Sequence, residues 1–306
     1  MATVTRPALV LGATGMIGQG IIRALKARDI DVAGTTRNLP VPAAAAPGRY
    51  VPFEFGRDSL SDLMSGYGPG DTVVNCLGVI KQRIDESSVE SRRAAIAMNA
   101  ELPHLVAALS EEQGFRVLHV TTDCVFSGSR GGYSETAVHD ATDLYGRTKS
   151  LGEVPAPTVA NLRCSVVGEE VRGGRSLLTW VLSHEPGSSF PGFVDHRWNG
   201  VTAPALGRIV AGAIAEHRDL TGTIHILPEG TVNKAALAQL MLDAYGRSDV
   251  TVVPSESGAS VDRTLATLDP QRNKRLWADA GYASVQSIGQ LVADLPHPWA
   301  KDGTSA

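Results

Sequence analysis

The sequence predicts a doubly wound α/β fold on a parallel sheet, with a smaller and irregular C-terminal region. Three observations carry this. Short apolar runs alternate with stretches of helical spacing through the first half of the chain, the pattern of repeated βα units. The run 72–77 is almost continuously apolar or β-branched instead of alternating, which suits a strand covered on both faces, and 116–122 reads as another buried strand. The chain has 306 residues, 43% hydrophobic and 20% charged, enough for one large core or two modest ones.

The elements follow in order. A first strand over 8–11 leads into glycines and then a helix from Met16 to Arg28, with Ile17, Ile21 and Leu25 on one face. Strands are expected over 31–36, 50–55, 72–77, 116–122 and 159–162. A short helix is expected over 59–64 and a long one over 88–112, which Pro103 would kink. Residues 143–153 read as a helix. Past residue 165 the pattern loosens at Gly173-Gly174, Pro186-Gly187 and Pro191-Gly192. Helices over 205–216 and 234–245 and strands over 223–227 and 250–254 belong to this part. Residues 1–165 therefore read as one domain, and 166–306 as a substrate-binding region that leans on its sheet. Pro40–Pro47 reads as a surface loop and the end of the chain after Lys301 as a disordered tail.

Composition excludes several classes of function. Thirty-two acidic against 28 basic residues give a net charge of −4, with no electrostatic drive toward nucleic acid or an anionic membrane. No apolar run approaches the ~20 residues of a membrane helix, and the polar segment 1–7 offers no signal-peptide core. Three cysteines without a C-x-x-C pair rule out a full disulfide framework and point to a reducing cytoplasm. The eight histidines lack metal-ligand spacing, so no metal is expected. There is no G-x-S-x-G hydrolase motif.

The first strand runs into Gly12-Ala13-Thr14-Gly15-Met16-Ile17-Gly18. Glycine at this spacing lets the chain turn tightly, lets backbone N–H groups approach a pyrophosphate, and lets helix and strand pack closely. The helix N-terminus adds a favourable dipole. Gly12, Thr14, Gly15, Met16 and Ile17 are the candidate phosphate-loop contacts of a Rossmann domain. At the end of the second strand, where an acidic residue would bind a ribose 2′-hydroxyl, the chain has Thr35-Thr36-Arg37. Arg37, helped by Thr35 or Thr36, suits a 2′-phosphate. NADP(H) is expected in preference to NAD(H).

Tyr145 and Lys149 share a helix face at i, i+4. A neighbouring ammonium favours a phenolate, which would make Tyr145 a usable proton donor or acceptor. Thr121-Thr122-Asp123 ends the strand that feeds this helix, and strand alternation turns one threonine toward the cleft. The carboxyl end of such a strand is where ligands bind in open α/β sheets.

With these motifs on the page, the sequence resembles the extended short-chain dehydrogenase/reductases, and within them the dTDP-4-dehydrorhamnose reductase-like branch. The resemblance rests on Gly12–Gly18, on Thr121 to Gly128 (TTDCVFSG), on Tyr133-Ser134-Glu135, and on Tyr145-Gly146-Arg147-Thr148-Lys149 with Gly152-Glu153; Leu162-Arg163-Cys164-Ser165 adds to it. It implies that Thr122, Tyr145 and Lys149 are the catalytic set. It also implies that Asn99 supports the lysine through the helix backbone, and that Cys76, Leu77 and Gly78 run beneath the nicotinamide ribose. The implied reaction is NADPH-dependent reduction of a nucleotide-linked 4-keto-6-deoxy sugar in deoxysugar or polysaccharide biosynthesis. Two alternatives within the resemblance are an NAD-dependent epimerase or dehydratase and a catalytically idle NADP-binding subunit, as in methionine adenosyltransferase. Cys124 replaces the tyrosine usual in the rhamnose enzymes, and Val166 a substrate-contacting tryptophan, which leaves the sugar open.

Candidate substrate contacts are Lys81, Cys124, Phe126, Trp180, Phe193, Arg197 and Asn199. Phe193, Arg197, Trp198 and Asn199 form an aromatic, basic and polar cluster suited to stacking and to a diphosphate clamp. The oligomeric state stays open, with a homodimer as the candidate.

Overall fold

The computed structural model describes residues 7–42, 45–170 and 176–296. The readings placed on Ala43 and Ala44, on Gly173-Gly174, on the first six residues and on the tail after Lys301 lie outside these.

Six strands of the first half are β1 (Ala8–Leu11), β2 (Val32–Thr36), β3 (Arg49–Pro52), β4 (Thr72–Asn75), β5 (Arg116–Thr121) and β6 (Val159–Arg163). With the strand Gly222–His225 they form one seven-stranded sheet, in the order Gly222–His225, β6, β5, β4, β1, β2, β3. Every pairing is parallel. The strand order reverses beside β1, so β1 and β4 diverge to opposite halves of the sheet and open a crevice at their carboxyl ends. The doubly wound expectation holds. One of its parts is corrected: the strand expected near 223–227 completes the main sheet instead of standing in a separate region, so the boundary at residue 165 is not a clean cut.

Between the strands run α1 (Met16–Lys26), α2 (Leu60–Met64), α3 (Val89–Ile96), α4 (Leu102–Gln113) and α5 (Leu144–Leu151). Side chains of Ser59, Ser88 and Asp143 cap α2, α3 and α5 by accepting a backbone N–H three residues on. The long helix expected over 88–112 is broken by a π-turn at Ala97–Glu101. Pro103 sits in the first turn of α4. A proline there has no N–H to give the carbonyl four residues back, so Asn99's carbonyl is released from the helix ladder. It packs instead on Gly152, where a Cβ would lie 2.0 Å from it.

The second region adds α6 (Leu177–Leu182), α7 (Ala203–Ala215), α8 (Lys234–Ala244) and three small sheets. It has its own core around Phe190, Trp198, Leu237 and Met241. α7, however, belongs to the main core. Its Leu206, Ile209 and Val210 pack with Ile21, Ala24 and Leu25 of α1, and the backbones touch. A Cβ on Gly20 would lie 2.5 Å from the Ala203 carbonyl oxygen, and one on Gly207 would lie 2.3 Å from that of Gly20.

Candidate active site

The loop after β1 is built from backbone. Gly12 adopts φ +75°, a left-handed conformation that favours glycine. Its N–H donates to Thr35 Oγ1 at 2.9 Å. A Cβ on Gly18 would sit 2.4 Å from the Gly12 carbonyl oxygen, so α1 presses directly on the turn. No side chain caps α1 at Gly15, which leaves the helix N-terminus open to an external anion. Gly12 also backs onto Cys76 and Leu77 past β4, joining the loop to the segment expected beneath the ribose. These features fit a dinucleotide pyrophosphate.

Arg37 stands exposed just past β2. The two threonines expected to help it are used elsewhere. Thr35 braces Gly12, and the Thr36 hydroxyl donates to the Asn38 carbonyl at 3.0 Å. Both are buried, because β2 is an interior strand between β1 and β3.

Across the crevice the site is built from side chains. Alternation along β5 sends Thr121 away, its hydroxyl on Glu153 at 3.0 Å. Thr122 caps the short turn Asp123–Val125, accepting the Cys124 N–H and donating to Asp123 Oδ1 at 3.2 Å. The Tyr145 phenol is buried, and Cys124, Asp123 and Asp143 act on it electrostatically, with Thr122 opposing them. Lys149 is 5% exposed, and its ammonium donates to the Val120 carbonyl at 3.0 Å. Burial brings its pKa down to about 8, against the opposing charge of Glu153. One expectation is corrected here. The phenol is not eased toward phenolate: burial pushes its pKa up, the Cys124 sulfur adds to this, and only Thr122 among the leading influences opposes it.

Asn99 supports α5 by a different contact from the one implied. Its side chain clamps Val79 from both sides, accepting its N–H at 2.8 Å and donating to its carbonyl at 3.0 Å. It also donates to the Thr148 hydroxyl at 3.2 Å. Asn99 therefore ties the segment past Gly78 to the residue before Lys149.

The substrate candidates divide. Lys81 pairs with Asp143 at 2.8 Å and so braces the N-cap of α5. Cys124 lies beside Tyr145, its thiol pushed up to about 12 by burial. Phe126 is corrected: it is fully buried, stacked on Tyr133 at 4.1 Å, and its apolar ring belongs to a small core with Leu227 and Leu265. Asn199 is corrected as well, since its amide is spent on both backbone groups of Leu265. Trp180 packs edge-on against Phe190 and His184 at the margin of the second core. Phe193 lies 4.9 Å from the His196 ring, and Arg197, 59% exposed, pairs with Asp262 at 3.5 Å. Trp198 is core, and its indole donates to Ser165.

Two residues of the site escaped the sequence reading. Lys234 begins α8, lies 5.5 Å above the Trp198 ring, and acts electrostatically on Asp123 and Cys124. Arg263 donates to the Phe126 carbonyl at 2.8 Å and also acts on Asp123. A lysine in the first turn of a helix opposes the helix dipole, and that was the available signal for Lys234. Among the described residues no cluster of His, Cys, Asp or Glu could hold a metal ion, and no helix is long and apolar enough to cross a membrane.

Residues 6–266 match the model of the RmlD substrate binding domain. The chain belongs to that family. It is similar to the probable low-salt glycan biosynthesis reductase Agl14 of Haloferax volcanii, 28% identical over 85% of this chain and 86% of that protein. It is also similar to the methionine adenosyltransferase 2 subunit beta of Danio rerio, 26% identical over 84% of this chain and 80% of that one. Among solved structures, the dTDP-4-dehydrorhamnose reductase of Bacillus anthracis, in complex with NADP, shares the fold at TM-score 0.72 and 18% identity, covering 95% of this chain and 99% of that chain.

Proposed function

We propose that this member of the RmlD family is an NADPH-dependent reductase of a nucleotide-linked 4-keto-6-deoxy sugar. The carrying observation is the meeting of Thr122, Tyr145 and Lys149 at the carboxyl end of β5, across one crevice from the glycine loop. Gly12, Thr14, Gly15, Met16 and Ile17 would hold the pyrophosphate, Arg37 the 2′-phosphate, and Cys76, Leu77 and Gly78 the ribose side. When bound, NADPH supplies the hydride.

This chain's own residues supply the proton and the orientation. Tyr145 donates its phenolic proton to the oxygen that was the keto group. Thr122 fixes that oxygen by a second hydrogen bond. Lys149 places a positive charge under the site from its seat on Val120, which offsets the phenolate that forms as the proton leaves. Lys234, Arg263 and Arg197 form the charged part of the wall facing the sugar nucleotide.

The test is NADPH oxidation against a panel of nucleoside-diphosphate 4-keto-6-deoxy sugars. Turnover with one of them is expected. Redox-neutral conversion without added cofactor would replace this reading with an epimerase. NADPH binding without any turnover would favour an idle subunit, a reading supported by the relative from Danio rerio.

A further inference from the structure

Three segments of the family pattern have no part in the chemistry above: Tyr133-Ser134-Glu135, Gly152-Glu153 and Leu162-Arg163. The fold gathers them around one guanidinium. Arg163 ends β6, is 1% exposed, and holds Glu153 with two hydrogen bonds, Nε to Oε1 at 2.9 Å and Nη2 to Oε2. Its terminal nitrogens also meet two imidazoles. Nη1 lies 2.8 Å from His225 Nε2, and Nη2 lies 2.7 Å from His139 Nε2. On the far side of each ring, Nδ1 of His225 lies 2.6 Å from the Ala266 carbonyl oxygen, and Nδ1 of His139 lies 2.7 Å from the Ser150 hydroxyl.

These contacts fix the protonation of both rings. A guanidinium offers donors only, so each Nε2 must present it a lone pair. A carbonyl only accepts, so Nδ1 of His225 carries the ring proton. In His139 the proton is left to Nδ1 as well, where Ser150 accepts it. Each ring is a neutral imidazole with its proton on Nδ1. A second proton, on Nε2, would set N–H against N–H and end the contact with Arg163. The nearby carboxylates stand beyond hydrogen-bond reach and are engaged. Glu153 lies 3.7 Å from His139 Nε2 and is held by Arg163 and Thr121. Glu135 lies 4.0 Å from Nδ1 of His225 and accepts from Thr267 and the Leu268 N–H. Asp140, the other acid acting on His139, accepts from Ser127. In keeping with this, burial and the Arg163 charge hold both rings below the usual imidazole range, His225 at about 4.

The two rings join distant parts of the chain to β6. His139 lies in the stretch between Phe126 and α5, His225 ends the edge strand Gly222–His225, and Ala266 lies just past Arg263. Backbone bonds knit the first and last of these together: the Tyr133 N–H donates to the Thr264 carbonyl at 3.0 Å, and the Ala266 N–H to the Tyr133 carbonyl at 2.8 Å.

We propose that His139, Arg163 and His225 form an acid-released latch, which fastens residues 133–139 and 264–268 to β6 while both rings are neutral and frees them when the rings take up protons. The latch stands whatever the crevice binds. A freed imidazole titrates near about 6.5, whereas a latched one stays neutral to lower pH. The latch is therefore at full strength above that value and weakens as pH falls below it. Between pH 7.5 and pH 5.5, opening should become about tenfold more favourable for each ring released, and about 100-fold for both.

The test is hydrogen exchange of the Tyr133 and Ala266 amides in the full chain, corrected for the intrinsic pH dependence of exchange and referred to the amides of β1. Over this pH range their relative protection is expected to fall about 100-fold in the unaltered protein. In His139→Gln and in His225→Gln it should fall only about tenfold, because glutamine offers Arg163 an acceptor and does not titrate. A second measurement needs no variant: at pH 7.5 the ring ¹⁵N shifts must show two imidazoles with the proton on Nδ1 and a bare Nε2. Relative protection that does not change with pH, an equal fall in the unaltered protein and both variants, or the lack of two such imidazoles overturns the proposal.

Discussion

The two walls of the crevice are made in opposite ways. The wall at β1 and α1 is backbone: a left-handed Gly12, an uncapped helix start at Gly15, and a Gly18 that admits no Cβ. The wall at β5 and α5 is side chain: Thr122, Tyr145 and Lys149, with Lys234 and Arg263 arriving from far down the chain. A backbone wall recognises a phosphate that every dinucleotide carries and needs one short stretch of sequence. A side-chain wall sets chemistry and substrate, and it needs residues that only the fold brings together.

Variants can break the two walls separately, and the largest effect is expected on the chemical side. Tyr145→Phe should lower turnover by about 10²-fold or more while NADPH still binds, because only the proton donor is removed; steady-state kinetics beside a fluorescence titration of NADPH check this. On the backbone side, Gly18→Val forces side-chain atoms into the Gly12 carbonyl. It should weaken NADPH by tenfold or more and lower Tm, the scale of ~1–3 kcal/mol for overpacking. A variant with normal NADPH affinity would show that the loop is not the phosphate seat.

Smaller effects sharpen the contrast. Arg37→Ala should weaken NADPH about tenfold and NADH little, since an exposed charge-assisted contact to the 2′-phosphate is lost; equal losses in paired titrations would detach Arg37 from the cofactor. Smallest is Lys234→Met, expected to raise KM for the sugar nucleotide roughly three- to fivefold with NADPH affinity unchanged. If NADPH affinity falls instead, Lys234 belongs to the other wall.

The same contrast explains what was legible in the sequence. Gly12–Gly18 and Tyr145–Lys149 were readable because their geometry is local: a turn into a helix, and one helical turn. Thr122 was readable as one of two, and alternation along β5 decided between them. Phe126 and Asn199 misled, because chemical type gives no sign of burial or of a backbone partner such as Leu265. Arg263 was out of reach because no neighbour in sequence reveals its partner, and Lys234 offered only its place against the helix dipole. The strand Gly222–His225 was recognised, but its place beside β6 depends on a crossover that periodicity does not encode.

The contact of α1 with α7 constrains how this molecule can move and how it can be cut. Gly20 and Gly207 let the two backbones meet directly at these points, and Leu206, Ile209 and Val210 pack around them against α1. The helix that begins at the glycine loop is thus held directly against the second region, which resists their separation. A protein severed after residue 165 would lose a sheet strand and bare the glycine face of α1 together, so separately expressed halves should associate or fail as a pair, never work as independent modules.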